Sequence, residues 1–205
     1  MENNWYTKAQ TAISDFRHAA QKIITAKGGA DFGWVCLDAP KNIANKINAW
    51  QKKNIDEDDL YIEKNEESED IHGKGWNYGI EDHIHITVKW GLITKDADEV
   101  KDVLDELKGG HVKLGKLDLF KNDDYDVLKM NVTSPALKTL NKALSDNLKN
   151  EDSHPQYHPH LTLAYIKSGE GKKYLDKKIE NVEFDFDEVF FEDSDDKKTK
   201  ITLAT

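Results

Sequence analysis

Two stretches of the chain, His83-Ile84-His85-Ile86-Thr87-Val88 and His158-Pro159-His160-Leu161-Thr162-Leu163, share the pattern His-x-His-x-Thr-x. Imidazole has an ordinary pKa of about 6.5, so it can take or give a proton near neutrality. In a β-strand alternate side chains share a face. His83, His85 and Thr87 are therefore expected to project together, with Ile84, Ile86 and Val88 buried behind them, and the second copy should behave alike. Two such strands side by side would bring a neutral imidazole as base and a protonated one as acid. Thr87 and Thr162 would donate hydrogen bonds to the non-bridging oxygens of a phosphoryl group between them. That chemistry is in-line displacement at phosphorus, and it requires no metal.

Each copy ends the same larger unit. Residues 32–37 read as a strand, Pro40 opens a helix whose face is Ile43, Ile47 and Trp50, and the first His strand follows. Residues 125–132 read as a strand, Ser134-Pro135 opens a helix with Leu137, Leu140, Leu144 and Leu148 on one side, and the second His strand follows. The first unit is longer because residues 55–80 carry an acidic, then glycine-rich insertion, expected to be exposed and mobile. Between the units, Asp96 caps a helix with Val100, Val103, Leu104 and Leu107 inward, and residues 111–120 form a strand. Residues 182–192 and 200–203 are expected to be strands around an acidic turn. Residues 1–29 form an amphipathic helix preceding a single α+β domain, 30–205, of two similar lobes.

A chain of 205 residues buries a core without covalent staples, and the single cysteine, Cys36, excludes an internal disulfide. The first six residues lack the basic and apolar regions of a signal peptide. Mean hydropathy is −0.76, and no apolar run approaches the roughly 20 residues that cross a bilayer. A cytoplasmic protein with no membrane partner is the expectation. The formal net charge of −10 opposes binding of long nucleic acid, which needs a basic stripe to neutralise several phosphates. It leaves room for a small phosphorylated ligand in a locally positive pocket.

With His85-Ile86-Thr87-Val88 and His160-Leu161-Thr162-Leu163 in place, the chain resembles the two-histidine (2H) phosphoesterases, which carry one His-x-Thr-x motif per lobe. The resemblance spans about residues 30–203 and includes the order of strands and helices; the N-terminal helix is outside it. It implies a bilobal α+β (LigT-like) fold with two pseudo-symmetric β-sheet lobes, flanking helices and a central cleft. It also implies no cofactor or metal, a catalytic set of His85, Thr87, His160 and Thr162, and a small phosphodiester substrate. Family substrates are 2′,3′-cyclic phosphates, 2′-5′ linkages and small cyclic or oligomeric nucleotides. Residues 78–87 and 119–128 are most similar to phage-encoded members. Among these, the anti-CBASS phosphodiesterases hydrolyse 3′-5′ bonds in the cyclic di- and trinucleotides that bacteria use as infection alarms. On that resemblance the site of action is the host cytoplasm and the partner a cyclic or short oligonucleotide.

Other residues are candidates for substrate contact. Trp76 and Tyr78 precede the first motif in a glycine-rich loop, and Trp90, Tyr157 and Tyr165 lie near the two motifs; rings there serve either base stacking or rim packing. Lys89 shares the face of His85 and Thr87 if alternation persists. Phage relatives also use an acid from the C-terminal strands, for which Glu188 and Glu192 qualify. The outer His83 and His158 suit packing as well as substrate contact. Two other classes fit part of the pattern: a zinc protein recruiting His111 or His154, and a nucleotide-binding module without turnover. Near-symmetry leaves open which histidine is the base.

Overall fold

A computed structural model describes residues 32–65, 75–151, 156–179 and 182–204, with backbone alone for 62–65 and 75–78. The helix expected over residues 1–29 and the centre of the acidic insertion, 66–74, lie outside the described residues. In chain order the elements are β1 (Gly33–Asp38), α1 (Lys41–Asn54), β2 (Ile62–Asn65), β3 (Gly75–Tyr78), β4 (His85–Leu92), α2 (Ala97–Leu104), β5 (Gly110–Lys121), β6 (Tyr125–Thr133), α3 (Pro135–Asn147), β7 (His160–Lys167), β8 (Glu183–Phe186), β9 (Glu188–Glu192) and β10 (Lys198–Thr202). Eight strands form one antiparallel sheet in the order β10-β9-β1-β4-β7-β6-β5-β8. β2 and β3 pair separately, so part of the insertion read as loop is a hairpin. Among the described residues no helix is long and apolar enough to cross a membrane.

The expected lobes are the two halves of this sheet. In one half β1, α1 and β4 succeed one another; in the other β6, α3 and β7 do. Ile86, Val88, Leu161 and Leu163 are fully buried on the covered face with Ile43 and Ile47 of α1, Val100 and Leu104 of α2, and Leu137, Leu140 and Leu144 of α3. Burying each such side chain contributes about 1.5–3 kcal/mol. α3 starts as its sequence dictates, with Pro135 in the first turn and Ser134 Oγ accepting from the Leu137 N–H at 3.4 Å. On α1 the third inward residue is Gln51, not Trp50, which sits half-buried at the rim with Nε1 donating to Lys178 O at 3.0 Å.

The halves join at a narrow seam. β4 and β7 pair through Ile86 and Leu161, and the antiparallel register about that pair sets His85 across from Thr162 and Thr87 across from His160. Past the crossing each strand pairs with the segment leading into the other, through bridges Leu92–Asn150 and Ile80–Ala164. Gly91 is required there: its φ is +75°, and a side chain would strike the Glu151 carbonyl. Side chains supplement the short ladder. Tyr157 Oη donates to Thr87 O at 2.9 Å, and the buried Gln51 Nε2 donates to Glu81 O at 2.7 Å and Leu163 O at 2.8 Å.

The strand expected over residues 182–192 breaks at Asp187, and its two pieces lie near opposite margins of the sheet. One residue spans only a few ångströms, so the margins must curl toward each other. They do: Leu203 N–H donates to Asp187 O at 2.8 Å and Ala204 N–H to Leu107 O at 2.9 Å. Gly109 lies so close to this corner that a Cβ would sit 1.9 Å from Phe186 O.

Replacing Gln51 with alanine removes two buried hydrogen bonds at the seam and opens a small cavity. A loss of about 1–3 kcal/mol is expected, read as a lower urea midpoint at unchanged m-value. An unchanged midpoint would show that the seam does not depend on this amide.

Candidate active site

His85, Thr87, His160 and Thr162 are all partly exposed on one face of β4 and β7, with the apolar residues between them buried on the other. His85 Nδ1 lies 2.6 Å from His83 O, and His160 Nδ1 lies 2.8 Å from His158 O. A carbonyl can only accept, so Nδ1 carries the proton in both rings and Nε2 is the nitrogen that titrates. His85 and His160 are diagonal neighbours across the seam, a relation that separates Cα atoms by about 7–8 Å.

Each half surrounds its histidine differently. In the first, Asp38 lies opposite His85 in the β1–β4 ladder. Its Oδ1 accepts from His83 Nε2 at 2.8 Å and its Oδ2 from Lys198 Nζ at 2.6 Å. Burial alone would raise the Asp38 carboxyl, but the hydrogen bonds from His83 and Lys198 outweigh it and hold it well below the usual carboxylate range. The His83 ring stacks on His85 with centroids 4.6 Å apart, and Trp34 packs edge-on against His85 at 5.1 Å. Cys36, opposite Thr87, is buried, which pushes its thiol up.

In the second half Asn131 takes the position opposite His160 and Lys129 that opposite Thr162. Lys129 is buried, donating from Nζ to Asp118 Oδ2 at 2.8 Å and Asn131 Oδ1 at 2.6 Å, and it lies 4.3 Å from the Phe120 centroid. Lys129 lowers the Asp118 carboxyl by its hydrogen bond, against a smaller opposing effect of burial. Phe120 in turn packs edge-on against His160 at 4.8 Å.

Of the remaining candidates, Lys89 is placed by a bulge. The β1–β4 ladder steps from Cys36–Thr87 to Val35–Lys89, inserting Val88, so alternation breaks. Val88 and Lys89 are both buried, Lys89 opposite core residue Val35 and away from the face of Thr87. The β6–β7 ladder makes the same step, from Lys129–Thr162 to Leu128–Ala164, inserting Leu163. The following residues, Trp90 and Tyr165, thereby return to the histidine face. Trp90 is 42% exposed and packs 6.1 Å from Trp34; Tyr165 packs 5.6 Å from Tyr125, which packs 5.0 Å from Tyr61.

Glu188 and Glu192 alternate with the buried Val189 and Phe191 on β9, Glu192 opposite Trp34 and Glu188 paired with Lys200 at 2.8 Å. Tyr157 supports the Thr87 carbonyl, with burial pushing its phenol up. The side chains of Trp76 and Tyr78, and all of His154, lie outside the described residues. His111 pairs with Asp185 at 2.8 Å on the β5–β8 ladder, away from the seam. Asp38, Trp34, Phe120, Lys129, Asn131 and Lys198 are the neighbours that sequence reasoning missed. Only the strand alternation of Trp34, Cys36 and Asp38 signalled any of them.

A split antiparallel sheet with one His-x-Thr on each side of its seam defines a class. The chain belongs to the 2′-5′ RNA ligase superfamily, the 2H phosphoesterases, which it matches over residues 80–198. It is 27% identical over 178 residues to an RNA 2′,3′-cyclic phosphodiesterase of Methanocaldococcus jannaschii, covering 84% of this chain and 90% of the relative. Among solved structures it is similar to E. coli LigT complexed with 3′-AMP, at a TM-score of 0.55 and 14% identity, covering 85% of this chain and 95% of LigT. TT0787 of Thermus thermophilus superposes at a TM-score of 0.53 and 13% identity, with coverage of 78% and 86%. These likenesses bear on the fold, which they share.

Asp38 ionises below its unfolded value of about 3.9, so its contribution is complete above that pH and is lost as pH falls through the depressed native value. Asp38→Asn is therefore expected to cost about 1–3 kcal/mol at pH 7 and to converge on wild type only in strongly acid solution. Urea unfolding between pH 7 and pH 2 measures the gap, and a gap constant over that range would contradict the assignment.

Proposed function

We propose that this enzyme hydrolyses a phosphodiester in a small nucleotide, with His85 and His160 as the general base and acid. The observation that carries the reading is the matched pair of imidazoles, each with Nδ1 tied to a main-chain carbonyl two residues earlier. One neutral ring takes a proton through Nε2 from the attacking water as its oxygen bonds to phosphorus. The other, protonated, gives its Nε2 proton to the ribose oxygen as the opposite P–O bond breaks. Thr87 and Thr162 donate to the non-bridging oxygens, where charge concentrates. The relative from M. jannaschii supports a 2′,3′-cyclic phosphate as the substrate group.

A second reading has its own support. The twin bulges put Trp90 on one strand and Tyr165 on the other back onto the histidine face, and Phe120 lines the site beside His160. Rings on both strands suit bases on both sides of the scissile phosphate. That favours a cyclic di- or trinucleotide, the substrate of the phage anti-CBASS enzymes that the sequence resembles. Under this reading the protein removes a bacterial infection alarm.

Incubation with EDTA and a panel of 2′,3′-cyclic mononucleotides, 2′-5′ oligomers, and cyclic di- and trinucleotides, with products followed by mass, separates the readings. Turnover is expected to persist in EDTA. His85→Ala and His160→Ala should each lose at least about 100-fold in kcat, and Thr87→Ala and Thr162→Ala less. A bell-shaped pH profile should accompany wild-type turnover. Wild-type rates in either folded histidine variant would sink the mechanism.

A further inference from the structure

The two halves of the cleft share a backbone plan but brace their histidines differently. Both His85 and His160 are tied at Nδ1 to a carbonyl, a bond that holds the Nδ1–H tautomer only while the ring stays turned toward that oxygen, and because χ2 of histidine is broad the ring can rock away from it. What limits the rocking is whatever lies against the ring. For His160 that is the edge of Phe120. For His85 it is the edge of Trp34 on one side and, in a stacked contact, the face of another histidine at an interplanar angle of 27°.

His83 is itself anchored. A carboxylate only accepts, so His83 Nε2 carries a proton that points to Asp38 Oδ1. Lys198 occupies the other carboxylate oxygen and lies 3.3 Å from the same nitrogen. The His83 main-chain N–H donates to Glu81 Oε1 at 3.2 Å, and Trp34 packs edge-on 6.4 Å from its ring. The chain of contacts thus runs from β10 through β1 to the loop before β4 and ends on the His85 ring. In the second half the corresponding residues are put to other use: Asn131 binds Lys129, and His158 is exposed.

We propose that His83, held by Asp38 and Lys198, is a positioning residue that fixes the plane of the His85 imidazole so that Nε2 meets the substrate. The proposal rests on the reading of His85 as a proton-transfer residue. Geometry of this kind governs rate: displacement of a reacting group by about 1 Å costs about 100-fold. The bracing belongs to the first half, so the outer histidines are unequal although their sequences match.

The test compares wild type, His83→Ala, His83→Phe, Asp38→Asn and His158→Ala, each checked for fold by circular dichroism. Steady-state kinetics uses whichever member of the substrate panel the wild type turns over, and the His85 tautomer is read by 15N NMR of the ring. His83→Ala is expected to lower kcat about 10- to 100-fold with KM within about twofold, and to reduce the Nδ1–H fraction of His85. His83→Phe, which keeps a stacked ring without the Asp38 bond, should recover most of both. Asp38→Asn should fall between, and His158→Ala should cost several-fold less than His83→Ala. Equal losses in the alanine and phenylalanine variants, or an unchanged kcat and tautomer in His83→Ala, would overturn the proposal. If His83→Ala fails to fold, Asp38→Asn decides by the same two readouts. Should wild type turn over no member of the panel, the phosphodiesterase reading falls, while the ring spectrum still decides the positioning: an identical His85 signal in wild type and His83→Ala overturns it, and a mixed one upholds it.

Discussion

The halves of the sheet meet where Ile86 faces Leu161, and the spacing across that crossing controls everything the cleft can do. Directly opposed residues on adjacent strands bring each histidine beside the other strand's threonine, and the two histidines fall on the diagonal. A slip of either strand by one residue would turn its His-x-Thr set toward the covered face. Slippage is opposed from behind, where Ile86, Val88, Leu161 and Leu163 are buried without remainder, and at the ends by the Tyr157 hydroxyl and the Gln51 amide. The core thus sets the relative placement of the two His-x-Thr pairs through register alone.

A chain with a formal net charge of −10 nevertheless builds a cleft with cations in its walls. Lys129 and Lys198 each lie over a phenylalanine ring, Phe120 and Phe190, and each is paired with a carboxylate. The aromatic face and the carboxylate offset the cost of withdrawing an ammonium group from water. Both ammonium groups are thereby fixed in place, Lys129 over the ring that packs on His160 and Lys198 on the carboxylate that holds His83. The symmetry of the pattern is loose: Asp38 stands where Asn131 stands, and Cys36 where Lys129 stands.

The two-fold character of the fold was legible in the sequence because the His-x-His-x-Thr hexapeptide, the proline-opened helices and the strands before them each occur twice. The four central side chains came with it, since strand alternation alone puts His85 with Thr87 and His160 with Thr162. Alternation also misplaced Lys89. A bulge adds one residue without a signature in composition, and only the ladder between β1 and β4 reveals it. Asp38 and Lys198 were illegible for a different reason: they are 160 positions apart and meet only because β9 takes β1 on one side and β10 on the other. The break at Asp187 escaped notice because residues 182–192 keep strand-like composition throughout, and the change of sheet margin is a tertiary event.

That change of margin bears on how the molecule is made. β9 and β10 are the last strands in the sequence, yet they lie beside β1, which is among the first. On a ribosome the second half, β5 to β8, has every one of its strands before β9 emerges, whereas β1 waits with one side unpaired and Asp38 waits for Lys198. Synthesis and competence are thereby separated: a nascent chain can hold both His-x-Thr motifs and still lack the brace on the first. The long wait also leaves a β1 edge open to wrong partners.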